Sequence, residues 1–162
     1  MIRGGATLRA ARAEDAEFLF HVFVHSRASV LAQLDRRDPA WDALLRMQFR
    51  AQGHAHRAHF PGARFDVIER DATPIGRLIV DRRARAIHVV DIALLPEHRS
   101  RGIGTSLLHE LLAEATANGQ LVTLRVDREN PARSLYRRLG FATVSEDEIY
   151  AAMAWSQPKI AS

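Results

Sequence analysis

The spacing of hydrophobic residues changes along the chain, and these changes predict an alternation of strands and helices. Between residues 103 and 115, apolar residues recur at intervals of three and four, which is typical of a helix with one buried face. The Asn118-Gly119 pair ends this helix, because both residues tolerate the left-handed conformation. Short apolar runs at 86–95 and 121–126 predict a strand on either side of it.

The rest of the chain continues this alternation. Acidic residues within 12–15 mark a helix start, and the stretch 71–74 is a hairpin signal between two strands. The predicted order is a strand at 7–11, helices over about 18–34 and 41–56, strands at 65–69, 75–81 and 86–95, a helix from 103, a strand at 121–126, a short helix around Tyr136, and strands near 141–145 and 148–154. We therefore predict one domain over residues 1–156 and a loose C-terminal tail at 157–162, which suits a chain of 162 residues.

Composition narrows the range of functions. The chain contains no cysteine, which excludes disulfides, thiolate metal sites and a cysteine nucleophile. It contains no run of eighteen apolar residues and no secretory pattern at its N-terminus. We therefore expect no membrane association and, by default, a cytoplasmic location.

The net charge of +4 does not indicate nucleic-acid binding. Lys159 is the single lysine, so 22 of the 23 basic residues are arginines, and they are interleaved with Asp and Glu along every predicted element. No basic block contains the aromatic residues that stack on bases. We expect no nucleic-acid partner, and the surplus positive charge is suited to attracting phosphate-bearing ligands.

The most informative segment is the loop that joins the strand at 86–95 to the helix at 103. It carries the spacing Arg99-x-x-Gly102-x-Gly104. Glycines leave backbone N–H groups uncovered, and the N-terminus of a helix is the positive end of its dipole. Together they form a site for an anion such as a pyrophosphate. The spacing is neither the dinucleotide fingerprint nor a P-loop.

A second segment, residues 130–141, has a physical reason at each of its marked positions. Asn130 can cap a helix, and Pro131 fits the first turn, where no N–H is required. Gly140 allows the chain to turn out of the helix, and Phe141 enters the core at the next strand. Tyr136 lies about one and a half turns into the helix.

In this order, and about thirty residues apart, the two segments resemble signature motifs of the GNAT superfamily, the acyl-CoA-dependent N-acyltransferases. The resemblance implies an α/β fold with a mixed, mostly antiparallel central sheet, splayed fourth and fifth strands, and about four flanking helices. It also implies acetyl-CoA as co-substrate, with its pantetheine arm in the gap between those strands. The implied contacts are Ala93, Leu94 and Leu95 through their backbone, the loop residues Arg99, Ser100, Arg101, Gly102, Ile103, Gly104 and Thr105, and the helix residues Asn130 and Tyr136.

Tyr136 and Asp91 are the predicted catalytic residues. The resemblance places the Tyr136 hydroxyl near the thioester sulfur, and a phenol can protonate a departing thiolate without carrying charge beforehand. For the base, the fourth strand offers His88 and Asp91, which a regular strand directs to opposite faces unless a bulge intervenes. Both match positions where some family members carry an acidic residue. We favour Asp91, which lies nearer the thioester in sequence, although a histidine has the more suitable resting pKa; the structural alternative is a carboxylate satisfied by an arginine or a backbone group.

The acceptor site is expected at the first two helices and the loop between them. Its candidate residues are His25, Ser26, Arg27, Gln33, Trp41, Gln48, Phe49 and Gln52. We interpret Trp41 as a core anchor, and Arg27 as a residue that could hold an acceptor carboxylate. His54, His56 and His59 are interpreted as solvated helix-end residues and not as a metal site, because no carboxylate–histidine pattern accompanies them.

The predicted reaction is direct transfer of an acetyl group to a primary amine, preferably of a small molecule, in a ternary complex. The lack of cysteine supports direct transfer, because the usual covalent sulfur relay is absent. Two alternatives stay open: acetylation of proteins or peptides, and an acyl-CoA-binding module without catalysis. The presence of Tyr136 argues against a module that only binds.

A homodimer is compatible with the sequence, which does not decide the oligomeric state.

Overall fold

A single mixed sheet forms the centre of the structure, a computed structural model that describes residues 5–27 and 38–159. The sheet has seven strands in the order β1-β2-β3-β4-β5-β7-β6. They are β1 (Ala6–Ala10), β2 (Arg64–Arg70), β3 (Thr73–Arg82), β4 (Ala86–Leu94), β5 (Leu121–Asp127), β6 (Ala142–Glu146) and β7 (Tyr150–Trp155). All neighbouring strands of this sheet are antiparallel except β4 and β5, which are parallel. The predicted fold class is confirmed.

Four α-helices flank the sheet within the described residues. They are α1 (Ala16–Ser26), α2 (Pro39–His59), α3 (Ile103–Asn118) and α4 (Ala132–Arg138), with short 3-10 turns at Ala13–Asp15 and Pro96–His98. The apolar side of α3 packs with sheet residues such as Val80 and Val89 in the main core. A smaller cluster joins Phe20 and Phe23 of α1 to Leu45 of α2. None of these four helices is long and apolar enough to cross a membrane.

Two predicted helix boundaries are wrong. The first helix ends at Ser26 and not at about residue 34, because Arg27 leaves helical geometry. In the final turn the Ser26 hydroxyl donates to the Phe23 carbonyl at 2.6 Å. Residues 28–37 lie outside the described part of the chain. The second helix begins earlier than predicted, at Pro39, because the Asp38 side chain accepts a hydrogen bond from the Ala40 N–H at 2.9 Å. It also extends to His59.

The predicted hairpin between β2 and β3 is present and tight. Arg70 pairs with Thr73, so that only Asp71 and Ala72 form the turn. Both have positive φ, 51° and 61°, which is the backbone of a type I′ turn. The register that this turn sets holds only for the first pairs, because Glu69 pairs with Pro74 but Ile68 pairs with Gly76, which leaves Ile75 as an extra residue in β3.

The fourth and fifth strands splay apart as the fold class requires. They pair only where residues 86–89 of β4 face residues 121–124 of β5, although both strands continue beyond these pairs. A β-bulge lies at the point of separation: Ile79 pairs with Asp91 and Val80 pairs with Val89, so Val90 is an extra residue in β4. The gap beyond the bulge opens between the end of β4 and the end of β5.

Candidate active site

The loop before α3 has the geometry of an anion site. Gly102 precedes the helix with φ of 81° and contributes no side-chain cap, and Ser100 also has a positive φ, 60°. The N–H groups of the first helical turn have no acceptor within the helix. A Cβ atom placed on Gly102 or Gly104 would meet nothing within 4 Å. Backbone donors therefore border open space at the positive end of the 16-residue helix α3.

Arg99 ties this loop to its neighbours. Its Nε donates to the Leu94 carbonyl at 2.9 Å, and its Nη2 donates to the His25 carbonyl at 3.2 Å. The guanidinium thus connects the end of β4 and the end of α1 to the loop. Both of these hydrogen bonds are to backbone carbonyls, and a phosphate contact stays a prediction.

The three residues that were predicted to pair with pantetheine, Ala93, Leu94 and Leu95, direct their backbone groups to different sides of β4. The Leu95 N–H donates to the Ile75 carbonyl at 2.9 Å, and the Leu95 carbonyl accepts from the His98 N–H at 3.0 Å. The Ala93 carbonyl lies beside Gly76 of β3. The Ala93 carbonyl and the Leu95 N–H therefore face β3, and the Leu95 carbonyl is taken up by the 3-10 turn that follows. Because backbone groups alternate in direction along a strand, we expect those of Leu94 and of Ile92, which was not predicted, to face the gap.

Tyr136 is buried on α4 as part of the main core, and Asn130 shapes the start of its helix. The Tyr136 ring packs edge-on against Phe141, with ring centroids 5.8 Å apart. Burial and, to a lesser extent, the charge of Asp91 raise the pKa of Tyr136 to about 12, so the phenol is protonated at neutral pH. The Asn130 side-chain oxygen accepts from the Ala132 N–H at 2.9 Å, which is the predicted capping role. Contact of Asn130 with CoA stays a prediction.

Asp91 forms an ion pair with Arg77 of β3, a residue that the sequence analysis did not select. The Arg77 Nε donates to Asp91 Oδ2, and the Arg77 Nη2 donates to Gln52 Oε1 of α2 at 2.9 Å. The Arg77 side chain is only 8% exposed, against 27% for Asp91. The pair matches the alternative in which an arginine satisfies the carboxylate. An arginine inside the apolar run of β3 was the signal that could have identified it, because buried charges require partners.

The bulge changes the relation between His88 and Asp91. Residues that pair directly across two strands direct their side chains to the same face of the sheet. His88 pairs with Asp81, and Asp91 pairs with Ile79. Ile79 and Asp81 are two residues apart on β3, so they also share a face. Both side chains therefore lie on the same face of the sheet, which is the exception that a bulge was expected to make. His88 Nδ1 shares a hydrogen bond of 2.8 Å with Thr123 Oγ1, and its ring stacks on Phe60 at 5.3 Å. Burial, followed by the nearby Arg83, lowers the pKa of His88.

The candidate acceptor residues separate by exposure along α2. Gln48, Gln52 and His56, spaced by four, are partly covered, whereas His54 and His59 are exposed as predicted for solvated histidines. His56 departs from that prediction. Within the described residues, no three His, Cys, Asp or Glu side chains converge as metal ligands.

The remaining acceptor candidates are mostly involved in packing. Phe49 contacts the rings of Phe20 and Phe23 at 5.7 Å and 5.5 Å, and Trp41 is partly buried. The Arg27 guanidinium lies over the Phe23 ring at 4.6 Å. Gln33 lies outside the described residues.

A family model assigns this arrangement to a known class. The model of the acetyltransferase (GNAT) domain matches residues 61–143, which include β2 to α4 and the loop before α3. The chain therefore belongs to the GNAT acetyltransferase family, whose members are acyl-CoA-dependent acyltransferases.

Solved structures from archaea and bacteria share the fold. The chain is similar to the PaiA N-acetyltransferase of Thermoplasma acidophilum in complex with coenzyme A, with a TM-score of 0.71 and 21% identity over 94% of this chain and 99% of that one. An acetyltransferase from Thermus thermophilus gives 0.68 and 17% over 97% and 100%. Ard1 from Thermoplasma volcanium gives 0.62 and 14% over 96% and 99%. At identities of 21% or less, these similarities show a shared fold and do not indicate which acceptor this chain uses.

Proposed function

We propose that the protein is an N-acetyltransferase that transfers an acetyl group from acetyl-CoA directly to the primary amine of a small molecule. One observation carries the proposal: β4 and β5 stop pairing after residue 89, and the unpaired end of β4, which carries Asp91, leads into the glycine loop of α3. Tyr136 is near enough for the charge of Asp91 to act on its pKa. A strand edge, an anion-type loop and a phenol are the parts that transfer from an acyl-CoA requires.

The chain's residues fit acetyl-CoA. The loop from Arg99 to Thr105 would hold the pyrophosphate, since no other part of the protein lies within 4 Å of the Cβ positions of Gly102 and Gly104. The gap-facing backbone of Ile92 and Leu94 would hold the pantetheine arm and polarise the thioester carbonyl. When bound, acetyl-CoA supplies an acetyl group activated as a thioester.

The ionisable groups favour transfer to an amine. Tyr136 keeps its proton at neutral pH and can donate it to a departing thiolate. Asp91 places a negative charge on the face where the acceptor must arrive, which attracts an ammonium group. Arg77 and Gln52 hold this carboxylate in place. Phe60, which follows α2, covers His88 on the same face. A partly covered face leaves more room for a small acceptor than for a folded protein. Arg27, at the end of α1, could bind the carboxylate of a zwitterionic acceptor.

Thiol release from acetyl-CoA, measured across a panel of primary amines, tests the proposal. We expect turnover with one class of small amine, an acetylated product by mass spectrometry, and intersecting lines when both substrates are varied. Parallel lines or a trapped acetyl-enzyme would contradict direct transfer. Activity confined to peptides that carry a free N-terminus would contradict the small acceptor, and CoA binding without turnover of any amine would contradict the enzyme.

A further inference from the structure

The side of α2 that faces the sheet carries a polar stripe formed by Gln48, Gln52 and His56. Its members are partly covered, whereas the residues next to His56 on both sides are exposed. Gln52 is fixed by its 2.9 Å hydrogen bond from Arg77. Two turns after Gln52, Phe60 stacks on His88 of β4 at 5.3 Å. His56 lies midway between these two anchored residues, so its ring is directed towards the strand face that carries Asp91.

Asp91 is poorly placed to take a proton itself. Protonation would remove the partner of Arg77, whose side chain is 8% exposed, and would leave a buried guanidinium uncompensated. Leaving one member of a buried ion pair without its partner is strongly destabilising. Asp91 therefore acts best as the partner of Arg77, and the proton requires another acceptor nearby.

His88 is also poorly placed. It pairs with Thr123 in the part of the sheet where β4 and β5 are still hydrogen-bonded, before the gap opens. Its Nδ1 is engaged by the Thr123 hydroxyl, and its ring is covered by Phe60. His56 has neither restriction among its described contacts, and its ring centroid lies 6.5 Å from that of Phe60.

We infer that His56 of α2 accepts the proton of the acceptor amine, while Asp91, held by Arg77, stabilises the imidazolium that forms. This inference rests on the proposed function. The neutral amine nitrogen attacks the thioester carbonyl carbon, so that a C–N bond forms and the C–S bond breaks. The surplus proton of the nitrogen passes to His56, and the Tyr136 hydroxyl proton passes to the sulfur. One proton then returns from His56 to the Tyr136 phenolate through water, which restores both groups.

The electrostatic surroundings agree with this role. Burial lowers the pKa of His56, the charge of Asp91 opposes this shift, and Arg77 of β3 together with Arg57 and His59 of α2 reinforces it. The ring is therefore neutral, and ready to accept a proton, at neutral pH. The charge of Asp91 also contributes to the raised pKa of Tyr136. The same carboxylate thus lies near both the group that takes a proton and the group that gives one.

The first experiment compares variants on the same helix. With both substrates saturating, His56→Gln should lower kcat by on the order of 10²-fold and abolish the fall in rate on the acid side of neutrality. His54→Gln, which alters an exposed histidine of the same helix, should stay within about twofold of wild type. Added imidazole should restore part of the rate of His56→Ala, which a structural defect would not allow. Full activity of His56→Gln would overturn the inference, and so would a loss in His88→Gln that His56→Gln does not show. The same loss in the control His54→Gln would also overturn it.

The second experiment does not depend on turnover. Histidine resonances are followed by NMR against pH in the unliganded protein, with His56 assigned from the spectrum of His56→Gln. Asp91→Asn should lower the pKa of His56 further, because it removes the charge that favours the imidazolium. An unchanged titration would show that the two groups do not interact and would refute the inference. If wild type turns over an amine and His56→Gln matches it, only the inference fails; if wild type turns over no amine, the proposed function fails as well.

Discussion

Replacing Gly104 with valine separates CoA binding from folding. Apart from the adjacent residues and the backbone of its own helix, no atom lies within 4 Å of the position that a Cβ of residue 104 would take, and the residue is already in helical conformation. Valine should therefore raise the stability slightly, by about 0.3 kcal/mol, the difference between the helix propensities of the two residues. In the complex, the same side chain would occupy the space where backbone N–H groups reach the pyrophosphate. Losing one hydrogen bond to a charged group costs about 1.5–3 kcal/mol, which is roughly a 10- to 150-fold rise in Kd.

The measurement is isothermal titration calorimetry with CoA at a fixed salt concentration, combined with urea denaturation of the same samples. Gly53→Val is the matched control, because Gly53 lies inside α2, where its Cβ would meet only the flexible end of Arg57, at 3.2 Å. The control should bind CoA as wild type does. If folded Gly104→Val keeps the affinity of wild type, the loop before α3 does not hold the pyrophosphate.

Three further predictions concern other parts of the structure. Tyr136→Phe should leave CoA affinity unchanged and lower kcat by on the order of 10²-fold; retained turnover would reduce Tyr136 to a packing role. Gly76→Ala would place a Cβ 2.3 Å from the Ala93 carbonyl oxygen, so urea denaturation should show a loss of about 1–3 kcal/mol, and unchanged stability would refute the close approach. Arg9 holds the pKa of Asp15 at about 2, so Asp15 should stabilise the fold above about pH 4 and lose this effect as the pH falls towards 2; Asp15→Asn should flatten that part of the stability profile measured by thermal unfolding, and an unaltered profile would contradict the assignment.

Most elements of the fold could be predicted because their hydrophobic periods are local properties of the sequence. Helix α3 shows the clearest period, and both its glycine start and its Asn118-Gly119 end agree with the structure. The end of α1 could not be predicted in this way. Its apolar pattern continues beyond Ser26, and the turn depends on a side-chain hydrogen bond that competes with the helix.

The electrostatics of the candidate site were harder to predict, because they depend on contacts distant in sequence. Arg77 and Asp91 are 14 residues apart, and Gln52 is 25 residues from Arg77. A pattern within one strand cannot reveal such partners. The three histidines of α2 show the same limit: a helical period separates His56 from His54 and His59, but only the packing of α2 on the sheet shows which of them faces inward.

The extra residue in β4, Val90, explains why the candidate site lies where it does. It shifts the pairing with β3, and the pairing of β4 with β5 ends at the residue before it, Val89. The same shift brings Asp91 onto the face that His88 occupies, under α2 and beside Arg77. Without the bulge, Asp91 would point into the main core with α3, where neither Gln52 nor His56 could approach it. One extra residue therefore marks the point where β4 separates from β5 and also places the Asp91 carboxylate on the face of the sheet that carries Arg77 and His88.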